Sequence, residues 1–514
     1  MTTDNRLSRT DLLILSAISL ALLFYHLLTS ILGHYGYFID EVYYIACSDR
    51  LEWGYVDHPP LSIALLTLNR AILGDSLPAI RFLPACALAA TVFLTGLMTH
   101  RLGGSRASIV LSALAVIAMP VYLLMGSFYS MNAYEILMCT GLVFLVVRMV
   151  QDDRPKDWLI IGVLLGLGLE MKHTMALYVL AIGAGMLLTP VGRILWNKWF
   201  FWGMLVSFLL ILPNLLWQMA NGFPSLEFYR NAMVNKNIPT GPLEVVVRQI
   251  VFGNPLAFPL WCAGLAALLF LKSLRPMRFL GFAYVFLLLV LIVSQSSRPD
   301  RIAALYPVLF AAGAVAIQAI TRPTAKRLVT GLTGAMLVLG AGTAAPAFTP
   351  LLSPPIAREY LVAIGLSLSV ESGKMNDPLP QWLGDRLGWR ELAENVARVY
   401  RALPAEEQRS AVIVSTNYGE AGAMEVYGRA LGLPPVYATH NSFHTWGPPP
   451  DSAAAYIGVF VDRPGLERIF ESVVEAGVQE CEYCTGPQQR IPIYVARGPR
   501  ISIAKEWEKF RIYN

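Results

Sequence analysis

Two short stretches near the start of the chain hold residue types that can do chemistry together. The first reads Tyr37-Phe38-Ile39-Asp40-Glu41-Val42-Tyr43-Tyr44, and the second Gly54-Tyr55-Val56-Asp57-His58-Pro59-Pro60-Leu61. A carboxylate at a partly desolvated interface has a raised pKa and is a stronger base, so Asp40 and Glu41 are candidates for proton abstraction. The bland alternative is a pair of solvated loop charges. Asp57 and His58 precede two prolines, which end one segment and can open a helix at its first position. An anion is welcome at such a helix start. Asp57 and His58 are also ligand types for a divalent metal, yet two neighbours alone make a weak site, so metal and cofactor stay unassigned.

The elements that must position these residues belong to a membrane protein. Of 514 residues, 55% are hydrophobic and only 15% charged, too little charge to cover a soluble surface. The net charge of +5 resides largely in short loops between apolar runs, which argues for topology rather than nucleic acid. Apolar runs of spanning length occur at 12–32, 78–99, 107–125, 133–150, 199–219, 249–271, 279–294, 302–320 and 328–346. Two shorter runs, 158–171 and 174–189, flank Lys172 and His173. Together they predict about eleven spans. The first run is too long for a signal-peptide core, and no small-x-small cleavage pattern follows it.

Loop charges predict which side each loop faces. With Arg6 and Arg9 inside, the alternate loops carry Arg101/Arg106, Arg148/Arg154/Lys156, Arg193/Lys198, Lys272/Arg275/Arg278 and Arg322/Lys326/Arg327. Every inside loop is then basic. Residues 33–77, 126–132, 172–173, 220–248, 295–301 and everything after about 347 fall outside. Both acidic stretches, Lys172, Arg298 and Arg301 are therefore expected on one side. The predicted domains are a membrane domain over 1–349, with a catalytic outer loop at 33–77, and a soluble extracytoplasmic α/β domain over 350–514. In the latter, strands are expected at Val412–Ser415 and Tyr456–Val461, and helices at 390–403, 420–430 and 464–475. Cys86, Cys139 and Cys262 read as core residues, and Cys481-x-x-Cys484 as a local disulfide if that region is extracytoplasmic.

Other polar positions are candidates for substrate contact. Asn132 and Glu135 open a helix, where capping is the competing explanation. Asn417 and Glu420 join a strand to a helix without the spacing of a nucleotide loop. His440 and Asn441 begin a polar, aromatic segment ending at Trp446, which could stack on a sugar, bind a metal weakly, or simply pack.

In combination, Asp40-Glu41 soon after the first apolar run and Asp57-His58-Pro59-Pro60-Leu61 resemble the GT-C glycosyltransferases of the protein O-mannosyltransferase and lipid A aminoarabinose transferase superfamily. Gly166-Leu167 through Lys172-His173-Thr174 is similar to a turn of its bacterial members, and Arg301 with Tyr306-Pro307 to their late basic segment. The resemblance covers about residues 10–320. It departs at Asp57-His58, where aminoarabinose transferases carry Glu-Lys, so the acceptor class cannot be carried over.

The resemblance implies transfer of a sugar from a polyprenyl-phosphate carrier, with inversion, to an envelope lipid, glycan or protein outside the cytoplasm. It makes Asp40 the base, assisted by Glu41. The leaving phosphate needs cations rather than a strong acid, and His58, Lys172, Arg298, Arg301 and Tyr306 are the expected donor-phosphate residues. Lys172 could instead be a snorkelling interfacial lysine. Tyr43, Asp57, Asn132, Glu135, Asn417, Glu420, His440 and Asn441 are the expected substrate contacts. The expected setting is a bacterial inner membrane, with the active site and C-terminal domain facing the periplasm. A transporter or lipid-linked-sugar flippase is the rival reading, since such proteins also bury charges within spans.

Overall fold

Long apolar runs in this chain become helices because lipid leaves the backbone no partner but itself. The computed structural model describes residues 7–366 and 377–514, so Arg6 lies outside the described residues. Seven helices among the described residues are long and apolar enough to cross a membrane, and a bent pair, Met175–Leu187 with Pro190–Trp196, gives up to eight. The expected count of about eleven is not reached by uninterrupted spans because several apolar runs are broken. The run at 107–125 splits into Arg106–Ala118 and Pro120–Met125 at a proline that cannot continue the hydrogen-bond ladder. The run at 249–271 splits at Asn254-Pro255, where Asn254 turns left-handed between helices Pro242–Phe252 and Phe258–Phe270.

Contacts divide the chain into two units. The first comprises Met1–Gly33, Pro78–Leu216 and Ile238–Leu351; the second comprises His34–Leu77, Trp217–Asn237 and Leu352–Asn514. The division therefore differs from a single break at 349/350, because the acidic loop groups with the C-terminal segment.

Within the first unit, small residues let helices pack backbone to backbone. A Cβ at Gly264 would collide with the Leu309 carbonyl, and one at Gly313 with the Leu260 carbonyl, which locks Phe258–Phe270 against Tyr306–Gln318. Gly185 meets the Phe279 carbonyl in the same way, and Gly162 meets the backbone of Gly203.

The second unit holds a five-stranded sheet in the order β2-β1-β3-β5-β4, with β1 Val412–Ser415, β2 Val436–Ala438, β3 Tyr456–Val459, β4 Phe470–Glu480 and β5 Arg490–Pro499. Strands β2, β1 and β3 are parallel, while β5 is antiparallel to both β3 and β4. Helices Trp389–Ala402 and Tyr418–Leu431 form where the sequence predicts them. The expected helix at 464–475 ends at Ile469, and Phe470 begins a strand instead. The β-branched Val473 and Val474 suit a hairpin arm paired with β5, and the register shifts between Glu475 and Gly477. Cys481 and Cys484 form a disulfide beyond β4. Gly388, at φ +79°, caps helix Trp389–Ala402 with its Cα facing that disulfide; a Cβ there would lie 3.0 Å from Cys484 Sγ.

Overpacking of this kind costs about 1–3 kcal/mol or more. Gly264→Leu should therefore lower the melting temperature of the detergent-solubilised protein. Gly342→Leu, where a Cβ meets nothing within 4 Å, should leave it nearly unchanged.

Candidate functional site

In the second unit, the adjacent carboxylates Asp40 and Glu41 have different surroundings. Helix Ile39–Ser48 starts after Phe38, whose amide donates to Glu41 Oε2 at 2.7 Å. Glu41 is 0% exposed and caps the first turn by accepting from the Phe38 amide. Asp40, one position earlier and about 100° round the helix, stays half-exposed and accepts a hydrogen bond from the Tyr418 hydroxyl at 3.0 Å. Tyr418 is the first residue of helix Tyr418–Leu431, whose N-cap Asn417 accepts from the Gly419 amide at 2.9 Å. Gly422 lets that helix approach closely, since a Cβ there would lie 2.8 Å from the Val42 carbonyl carbon.

A second layer lies beneath. Tyr43 donates to Asp57 Oδ1 at 2.7 Å and lies 2.8 Å from Ser442 Oγ, which also receives the Val56 amide at 3.2 Å. Burial and the Asp57 charge hold the Tyr43 phenol well above its ordinary pKa, so it remains a donor. His58 is 0% exposed, caged by the rings of Tyr43, Tyr44 and Tyr55 at 5.9, 5.0 and 4.7 Å. Its Nδ1 lies 3.1 Å from the Pro59 carbonyl, and its Nε2 is 3.9 Å from Asp57. Burial outweighs the Asp57 charge and lowers its pKa, so the ring is neutral. His58, expected as a phosphate-binding cation, is here a buried ring packed among three tyrosines.

Several expected substrate contacts turn out to be structural. Asn417 is a helix cap, and Glu420 is fully buried beside Gln488. His440 Nε2 faces Asn514 Oδ1 at 3.0 Å, and Asn441 Oδ1 accepts from the Asn514 amide at 3.3 Å. His444 stacks on Trp507 at 5.1 Å. No group of three or more metal-ligating side chains occurs among the described residues. Sequence reasoning did not single out Tyr418, or Arg50, which forks onto Glu425 at 2.6 and 2.8 Å and lies over the Trp446 ring at 4.4 Å.

The first unit holds the cations. Lys172, just past helix Trp158–Met171, donates to Asn132 Oδ1 at 2.6 Å and to Glu135 Oε2 at 2.7 Å. Thr174 also donates to Glu135. Lys172 is thus held by two side chains of helix Met131–Asp152 rather than snorkelling freely. Arg298 pairs with Asp300 at 2.9 Å, and Lys172 and Arg301 act electrostatically on the same carboxylate. Asp300, which sequence reasoning passed over, is therefore paired with Arg298 and within electrostatic reach of two further expected phosphate residues. Tyr306 is fully buried, donating to Gln249 at 2.9 Å and lying 3.2 Å from the Tyr284 hydroxyl, which makes it a core residue.

His440 carries a pH signature. Burial and the nearby Lys236 charge depress its pKa to about 3, below the ordinary 6.5 of an unfolded histidine. Its neutral ring is accommodated fully above pH 6.5, and stability is lost as pH falls from there toward the folded value, by up to about 1.4 kcal/mol per unit. Denaturation between pH 7.5 and 5.5 should show a shallower slope for His440→Gln than for the wild type.

Residues 57–217 match the family described as dolichyl-phosphate-mannose-protein mannosyltransferase. No curated protein matches the chain by sequence. Among solved structures, ArnT from Cupriavidus metallidurans bound to undecaprenyl phosphate superposes with a TM-score of 0.61 at 14% identity, covering 94% of this chain and 97% of ArnT. Its apo form gives the same TM-score at 13% identity, with the same coverage of both chains. The mycobacterial arabinofuranosyltransferase AftD superposes at 0.51 and 14% identity, over 96% of this chain and 40% of AftD. The chain thus has the GT-C fold of these membrane glycosyltransferases, and its residues 57–217 are similar to the mannosyltransferase family.

Proposed function

We propose that this chain moves a sugar from a polyprenyl-phosphate carrier to a cell-envelope lipid, glycan or protein, with inversion, on the periplasmic face of a bacterial inner membrane. The observation that carries this reading is the division between Asp40 and Glu41: one carboxylate buried as a cap, the other half-exposed and aimed by Tyr418. Asp40 takes the proton of the acceptor hydroxyl as its oxygen attacks the anomeric carbon. The bond from that carbon to the carrier phosphate breaks, and the electron pair leaves with the phosphate. Lys172, Arg298 and Arg301 are the residues for that growing negative charge, because cations aimed at a leaving group act most strongly where water is scarce. Asp57 and Tyr43 shape the acceptor side. Similarity of fold to ArnT, whose structure contains undecaprenyl phosphate, supports the donor class, and the basic inside loops support the sidedness.

Mass spectrometry of envelope lipids and glycans with and without the gene should reveal one missing sugar modification. Asp40→Asn should fail to restore it, with turnover down about 100-fold, the usual scale for a lost general base. Glu41→Gln keeps an acceptor for the Phe38 amide and should lose far less. Normal modification by a well-expressed Asp40→Asn protein would remove Asp40 from the mechanism. Lys172→Ala should weaken polyprenyl-phosphate binding by roughly tenfold or more, as expected for a lost charge-assisted contact; unchanged affinity would leave Lys172 a structural partner of Glu135. For the sidedness, a cysteine placed near Asp49 should react with a membrane-impermeant thiol reagent in intact cells, and one near Arg275 only after the membrane is opened. The reverse pattern would overturn it.

A further inference from the structure

Three helices of the first unit border a cavity whose lining takes no part in the proposed chemistry. It has a volume of about 440 Å³ and is lined by Ser105 and Ser108 at the start of helix Arg106–Ala118, by Gln318 at the end of Tyr306–Gln318, and by Lys326, Arg327 and Gly331 in the first turns of Pro323–Phe348. We propose that this cavity binds the phosphodiester headgroup of an anionic phospholipid.

Charge is the first reason. Two cations line the cavity and no carboxylate does. Neither Lys326 nor Arg327 has an ion-pair partner among the described residues, whereas neighbouring Arg106 is already paired with Asp11. One helix N-terminus, that of Arg106–Ala118, opens here without a side-chain cap. Its positive end adds to the two cations.

The neutral polar groups suit a phosphate as well. The Gln318 amide is held by the Ser105 and Ser108 hydroxyls, and Ser108 in turn donates to the Ala314 carbonyl at 2.8 Å. This network fixes the polar floor of the cavity and leaves the cations as its unsatisfied members.

Position selects a lipid over a free anion. The cavity sits where apolar helices end, which is the depth of headgroups in a bilayer. Leu111 and Ile317 supply an apolar wall on the side running into the helices, suited to the glyceride end of an acyl chain. Basic pockets between membrane helices are a known chemical solution for anionic headgroups. At Gly331 a Cβ would meet nothing within 4 Å, so there is room for the headgroup beside the cations.

The test is native mass spectrometry of the full chain in mild detergent, with phosphatidylglycerol, phosphatidylcholine and inorganic phosphate as probes. Phosphatidylglycerol should be retained in preference to phosphatidylcholine, and phosphate alone should not be retained. The double variant Lys326→Ala/Arg327→Ala should lose that preference, with retention down about tenfold or more for two cations removed. Gly331→Leu keeps both charges and fills the space, and should lower retention too. Arg275→Ala removes a basic loop residue outside the cavity and should change nothing. Equal retention of the two lipids would overturn the proposal, as would undiminished phosphatidylglycerol binding in the double and filled variants. Inorganic phosphate held through Lys326 and Arg327 would overturn the lipid source in favour of a free anion.

Discussion

A polar side chain among apolar helices must find its partner within the protein, because the surroundings offer no water to replace it. That constraint explains most of what is ordered in the first unit. Lys172 is gripped by Asn132 and Glu135, and His173 lies 3.0 Å from Asn214. Tyr306, Gln249 and Tyr284 form one buried hydrogen-bonded group, and Tyr178 donates to the Arg301 carbonyl at 2.8 Å. Each of these bonds ties helices together at a fixed depth. The same bonds that satisfy the fold therefore hold the Lys172 ammonium in place.

The second unit answers the same requirement with aromatic rings and caps. His58 is kept neutral by burial, and its three tyrosine neighbours fill the space a water shell would occupy. Tyr43 then serves as the hinge of the layer, reaching Asp57 on one side and Ser442 on the other. Above that layer, Asp40 keeps its partial exposure while Tyr418 limits how the carboxylate can rotate.

Much of this was legible in the residues, and the parts that were not share a cause. Apolar runs such as 133–150 and 199–219 announce their helices, since only composition and length matter there. The breaks at Pro120 and Asn254-Pro255 depend on local backbone chemistry inside a run that looks continuous. Strand β4 escaped because an edge strand with Glu471, Glu475 and Glu480 lacks the alternation of a half-buried strand. The Asp40-Glu41 pair could be found by its types, yet which carboxylate caps the helix depends on where the helix starts. Tyr418 was missed because its importance comes from a partner distant in sequence, which no local spacing records.

The partner of Asp40 lies 378 positions along the chain, and Arg50 is fastened to Glu425 across 375. With Gly422 packed on the Val42 backbone, these contacts make the acidic loop and the C-terminal segment one inherited object. A lineage cannot exchange its C-terminal region for another without also renegotiating the setting of its loop carboxylate. Variation should accordingly arrive in matched sets at the two places.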